Sequence, residues 1–183
     1  MAFGKAVIGF IVLSSLVASS FAAPDFVVRI KGQKQGEIKG GNVQKGRENT
    51  LSAIALDHTI VTPRDAASGL PTGKRMHKPL VLTFTVDRSM PQLYTALTTN
   101  ETLTEVVIDA FGTSKVTGTM ANTYSIKLTN ARIVEIHHVS QYPRTTDAIN
   151  PPDVIEVSFT YQKIEWSDKA SGVTSVDDWS TTN

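Results

Sequence analysis

Apolar side chains fall at every second position through most of this chain, and that two-residue period is what most restricts its fold. In a β-strand successive side chains point to opposite faces, so alternation marks a strand with one buried face. Phe26, Val28 and Ile30 alternate with Val27 and Arg29. Leu51 to His58 has the same character, and Leu80, Leu82, Phe84 and Val86 share one side of a strand from Pro79 to Val86. Leu103 to Phe111, Thr123 to Leu128 and Ala131 to Val139 continue the series. The last strand spans Val154 to Trp166, with Ile155, Val157, Phe159 and Tyr161 on one face. Beyond Tyr161 the parity moves to Ile164 and Trp166, as a β-bulge near Gln162-Lys163 would cause. Gly32, Gly36, Gly40 and Gly41 punctuate the second stretch as turns. A chain of 183 residues with this pattern reads as one mainly β domain.

One segment has helical spacing. Ser89-Met90-Pro91-Gln92 reads as a capping box with Pro in the first turn, where its missing N–H costs nothing. Met90, Leu93, Tyr94 and Leu97 then line one face of a short helix, and Asn100 is its stop. The helix is expected to lie against the strands and close part of their core. Two stretches lack any period. Ile60 to Lys78 holds Thr62-Pro63-Arg64-Asp65 and Ser68-Gly69-Leu70-Pro71-Thr72-Gly73, and reads as a long loop of the functional kind. Gln141 to Asp153, with Pro143, Pro151 and Pro152, reads as a second polar loop.

The first residues form a different pattern. Lys5 precedes an apolar run from Ala6 to Val17, and small residues lead to Ser20-Phe21-Ala22. That is the layout of a secretory signal peptide, with cleavage expected after Ala22. The run is shorter than the roughly 20 residues that span a bilayer. The chain therefore divides into a signal, residues 1–22, and one domain, residues 23–183. Lys5 is the only charge before Asp25, so its loss from the 18 basic residues leaves 17 against 17 acidic ones. A net charge of zero gives no basic excess for a nucleic acid and little repulsion between copies.

Enzyme chemistry finds no footing. There is no cysteine, hence no thiolate or disulfide. Gly69 to Arg75 resembles a phosphate loop, but three residues rather than four separate Gly69 from Gly73, and Arg75 stands where Ser or Thr would hold magnesium. His137 and His138 are adjacent and so point to opposite faces of a strand. Along with His58 and His77 they read as strand or rim histidines, with no metal ligation expected. Asp177-Asp178-Trp179 reads as an exposed tail. Trp166 and Trp179 read as packing residues. No cofactor, metal or catalytic residue is expected.

Several longer motifs are more specific. Thr72-Gly73-Lys74-Arg75-Met76-His77-Lys78-Pro79-Leu80-Val81-Leu82-Thr83 runs into Asp87-Arg88-Ser89-Met90-Pro91-Gln92-Leu93-Tyr94-Thr95-Ala96-Leu97. Tyr124-Ser125-Ile126-Lys127-Leu128-Thr129-Asn130-Ala131 follows, then Glu156-Val157-Ser158-Phe159-Thr160-Tyr161-Gln162-Lys163-Ile164-Glu165-Trp166. With Ile38-Lys39-Gly40, Ala55-Leu56-Asp57-His58 and Asp177-Asp178-Trp179, these stretches resemble the Hcp (haemolysin-coregulated protein) family of type VI secretion tube proteins. The resemblance runs in order from residue 25 to 179. It implies a barrel-like β-sandwich of two sheets with one short flanking helix, assembled in six-membered rings that stack into a hollow tube. Small secreted effectors in the lumen and tip or sheath proteins are the implied partners beside the chain itself. The subunit interface would involve Thr62, Pro63, Arg64, Asp65, Leu70, Pro71, Lys74, Arg75 and His77. The leader departs from the family's pattern, whose members are made without one, and directs the chain to the periplasm or the exterior. The alternative is an exported monomeric β-domain whose loops or aromatic residues bind a glycan or protein.

Overall fold

A computed structural model describes residues 25–114, 118–140 and 153–180. The expected leader and all of the second polar loop except Asp153 lie outside the described residues. The strands are β1 (Asp25–Gly32), β2 (Gly36–Ile38), β3 (Leu51–Asp57), β4 (Ile60–Val61), β5 (Met76–His77) and β6 (Leu80–Thr85). Helix α1 (Met90–Thr98) follows, then β7 (Leu103–Thr113), β8 (Met120–Val139), β9 (Val154–Thr160), β10 (Lys163–Asp168) and β11 (Thr174–Asp178).

Strands β8, β7, β1, β3, β6 and β9 pair in that order, and β9 pairs back onto β8 to close a barrel. The fold is mainly β with one short helix, as expected, and β10 and β11 extend the sheet from β8 outside the barrel. The alternation of β6 matches its burial residue for residue, with Leu80, Leu82 and Phe84 inside. Phe84 and Phe159 are the largest fully buried side chains, packed among Ile30, Leu51, Leu103, Ile108, Leu128 and Ile155. Side chains fill a barrel of this strand number, so its interior is a core and not a channel. Val86 lies past the end of β6 and is exposed, so the buried face stops at Phe84.

Three local expectations need correction. The segments Thr123–Leu128 and Ala131–Val139 form one strand of 20 residues, β8. Asn130 lets it turn, with φ of 50°, and its side chain donates to Gln162 Oε1 at 2.9 Å. Second, the expected bulge near Gln162-Lys163 is absent. Thr129 pairs with Lys163 and Arg132 with Thr160, so both strands advance three residues and neither carries an extra one. The parity of β8 moves at the same place, from Leu128 to Ala131, because both strands re-aim together there. Third, Ser89 does not cap α1 with its side chain. Asp87 Oδ1 instead accepts the Ser89 N–H at 2.8 Å and the Ser89 hydroxyl. Met90, Leu93 and Ala96 are the buried residues of the helix, while Tyr94 faces outward. Asn100 does end it, with φ of 51°.

The left-handed backbone at Asn130 gives a direct test. Asn130→Val forces a β-branched residue into that conformation and is expected to cost about 1–2 kcal/mol. Asn130→Gly keeps the backbone free and loses only the Gln162 hydrogen bond. Urea midpoints of the two variants separate the effects.

Candidate functional site

The stretch from Ile60 to Lys78, read from its sequence as a long loop without a strand period, is a folded arm. β4 and β5 pair through Ile60–His77 and Val61–Met76, and an isolated bridge joins Arg64 to Pro71 farther out. At the tip, Asp65 Oδ1 accepts the N–H groups of Ala67 at 3.1 Å and Ser68 at 2.7 Å and the Ser68 hydroxyl at 2.8 Å. Those bonds, the Ser68 hydroxyl first, hold the Asp65 carboxyl below its usual range. Gly69 supplies the positive φ of 69° that the turn requires. Arg64 Nη1 donates to the Gly69 carbonyl at 3.0 Å, and the Thr72 N–H to the Pro63 carbonyl at 3.0 Å. An arm held by its own bonds can project as a unit. It exposes Ile60, Val61, Leu70 (65% exposed) and Met76.

Of the sequence-derived interface residues, Thr62, Arg64, Asp65, Leu70, Pro71 and Lys74 are exposed along the arm, and Pro63 is half-buried. Arg75 and His77 differ: they turn toward the barrel and fasten the arm to it. Two Arg75 nitrogens, Nε and Nη2, donate to the Asp177 carboxylate. His77 Nε2 lies 2.8 Å from Asp177 Oδ2, and its Nδ1 lies 2.8 Å from the Tyr161 hydroxyl. The same hydroxyl lies 2.6 Å from His58 Nε2. The side chain of His77 is 2% exposed.

The bond directions follow from one fixed end. Asp177 is held well below the usual carboxylate range, first by the Arg75 hydrogen bond against some desolvation, and then by His77. As a carboxylate it can only accept, so His77 Nε2 carries a proton. With both imidazoles neutral, His77 Nδ1 accepts from Tyr161, whose oxygen accepts from His58. Burial, and then the charge of Asp177, raises the Tyr161 hydroxyl far above the ordinary tyrosine range. It therefore stays a neutral donor. Burial lowers His58 from 6.5, and His77 adds to the lowering while Asp57 opposes it.

The two tryptophans complete the cluster. The Trp166 ring stacks on His58 at 6.4 Å between centroids, and Trp179 lies 5.2 Å from His77. The sequence reading missed this assembly. His58 and His77 are 19 positions apart, and Tyr161 and Asp177 come from the far end of the chain, so no local spacing joins them. Asp177 is also no tail residue: β11 pairs with β10 from Lys163–Asp178 to Ser167–Thr174. A short ordered edge strand, rather than a solvated terminus, carries the carboxylate. The histidine–tyrosine–aspartate order has an enzyme-like look, but Tyr161 donates into His77 and is buried, so it offers no exposed nucleophile. Among the described residues no group of three or more His, Cys, Asp or Glu is placed to hold a metal ion.

A family model described as type VI secretion system effector, Hcp, matches residues 28–167, which is most of the chain. This chain belongs to the Hcp family. The major exported protein of Pseudomonas aeruginosa is 38% identical to it over 162 residues, covering 82% of this chain and 92% of that protein. A crystal structure of an Hcp protein matches with a TM-score of 0.79 at 30% identity, over 87% of this chain and 100% of the other. The secreted protein Hcp3 from Pseudomonas aeruginosa matches at 0.69 and 30% identity, again over 87% and 100%. The chain is thus a type VI secretion protein of a structural, secreted family and not of an enzyme family. Within the Hcp match, the model's span of residues 28–167 takes in the whole arm and both histidines of the cluster.

Proposed function

We propose that this Hcp-family protein is a ring-forming tube subunit, six copies to a ring, and that the projecting arm contacts the neighbouring subunit. The observation that carries this reading is the arm itself: a self-bonded hairpin with Ile60, Val61, Leu70 and Met76 exposed. Apolar side chains gathered on a rigid projection cost solubility unless a surface covers them. An arm that docks on a different surface of an identical copy makes a head-to-tail contact, and such contacts close into rings when their rotation closes. β11 adds a second means. Among the described residues it pairs only with β10, so its outer edge is open to another strand.

The filled barrel fits the same reading, since any lumen must then lie between copies rather than within one. Stacked rings would enclose small effectors, with tip or sheath proteins at the ends. The leader would carry this copy out through the general export pathway, to the periplasm or beyond. Intact mass of the exported protein tests that step, with loss of residues 1–22 expected.

Deleting Ser68 to Thr72 removes the turn and the Arg64–Pro71 bridge but leaves the barrel strands untouched. The expected product is a folded monomer where the parent forms rings. Size-exclusion chromatography with light scattering and negative-stain microscopy read the outcome. Rings that persist after the deletion remove the arm from the interface. A parent protein that stays monomeric when concentrated removes the ring.

A further inference from the structure

We propose that the arm is held by an acid-sensitive latch, in which His58 and His77, joined through the Tyr161 hydroxyl, fasten the hairpin to the barrel until both are charged. The donors and acceptors in the cluster limit how many protons it can hold. With neutral imidazoles every group in the chain His58, Tyr161, His77, Asp177 has a partner of the right kind. One added proton can be accommodated. If His77 becomes imidazolium, its Nδ1–H points at the Tyr161 oxygen, and Tyr161 turns its own proton toward His58 Nε2, which the other tautomer leaves free to accept. A second proton has no such place. Tyr161 would then face an N–H from each side, and its own hydrogen would have no acceptor.

The charges add to this conflict. The two imidazole rings are 6.2 Å apart, between the core and the arm. Asp57 faces His58 from the end of β3, and Asp177 faces His77 from β11. Arg75, on the arm, already occupies Asp177 with two hydrogen bonds. Lys78 lies on the same cleft wall as His77, Thr160, Tyr161 and Trp179, and adds a further positive charge. Two imidazolium rings would thus share a half-buried site with Arg75 and Lys78 against Asp57 and Asp177. Like charges in a poorly solvated site are relieved by separation. The arm meets Tyr161 and Asp177 through His77 and Arg75, so parting these contacts is what separates the charges. Burial places the His58 step below the ordinary histidine value of 6.5, so release belongs to mildly acid conditions. Its effect on rings rests on the assembly proposed above; the latch itself does not.

The absence of cysteine makes a single label possible. Ala66→Cys, in the arm's turn, takes a spin label whose mobility reports the arm, while Trp166 and Trp179 emission reports the two histidines beside them. Between about pH 7.5 and about pH 5 both signals are expected to change together, with far-UV circular dichroism constant. At the foot of the transition the released fraction rises between about tenfold and about a hundredfold per pH unit, for uptake of one or two protons. H58Q retains an N–H for Tyr161 but cannot be charged, so the transition should vanish. H137Q removes an exposed histidine outside the cluster and should leave it unchanged. Label mobility that stays constant over this range overturns the latch, whether or not H58Q folds. So does an unchanged transition in H58Q, or arm release that coincides with loss of the barrel's dichroism. Sedimentation at about pH 7.5 is read separately: monomers there remove the ring but leave the label to decide the latch.

Discussion

Glu101→Ala is expected to lower the stability of the barrel by about 2–3 kcal/mol, read as a lower urea midpoint. Glu101 is 3% exposed, an unusual place for a carboxylate, and its partners explain it. Oε1 accepts the backbone N–H groups of Lys34 at 2.6 Å and Gln35 at 2.9 Å, and Oε2 accepts Gln35 Nε2 at 2.8 Å. Gln35 Nε2 also donates to the Gln92 carbonyl at 3.1 Å, which ties the β1–β2 turn to α1. Alanine would leave two amides of the turn without acceptors and open a void beside Gly32. A Cβ on that glycine would sit 2.5 Å from Glu101 Oε1, so it would push the carboxylate off its hydrogen bonds to Lys34 and Gln35.

The same residue shapes the acid limb of stability. Desolvation pushes the Glu101 carboxyl up, but the Gln35 and Lys34 hydrogen bonds outweigh it and its value lies below the ordinary one. A folded value below the unfolded one means that the unfolded chain binds the proton more readily. The contribution is therefore present above the unfolded value of 4.5 and lost as pH falls through the folded one. Glu101→Gln cannot titrate, so its acid limb should be shallower than that of the parent. A denaturation series from neutral pH to about pH 3 reads the difference, and parallel limbs would show that Glu101 adds nothing there.

Gly40→Ala is the second large effect, about 3 kcal/mol of destabilisation from overpacking. A Cβ on Gly40 would fall inside contact distance of the Thr50 carbonyl and 2.7 Å from the Leu51 nitrogen, all backbone atoms that cannot rotate away. The neighbouring bonds resist any shift. The Gly40 N–H donates to the Asn49 carbonyl at 2.8 Å, and the Gly40 carbonyl accepts from Arg88 Nε at 2.7 Å. Gly36→Ala is the informative contrast. A Cβ there meets nothing within 4 Å, but φ is 72°, so its cost is the smaller one of backbone strain. Thermal melts that rank Gly36→Ala as the worse variant would refute the crowding argument.

Much of the barrel was legible because its strands carry their own signal. Leu80, Leu82 and Phe84 alternate in sequence and are buried together in the fold. The helix was legible for the same reason, although its N-terminal hydrogen bonds belong to Asp87 rather than to a capping box. The arm was not. Two-residue strands are too short to establish a period, and their partners are found only across the hairpin. The break at Gln162 was visible as a change of parity, but the matching turn at Asn130 on the adjoining strand was not.

Local order in the sequence thus determined which segments are strands, which face of each is apolar, and to which family their motifs belong. Tertiary structure alone decided that β9 returns to β8 and closes the barrel. It also brought His58, His77, Tyr161 and Asp177 into one hydrogen-bonded cluster at the root of the arm. The physical reason is range. Alternation is written between neighbours along one strand, whereas a hydrogen bond between residues 58 and 161 exists only after the strands between them have taken their register.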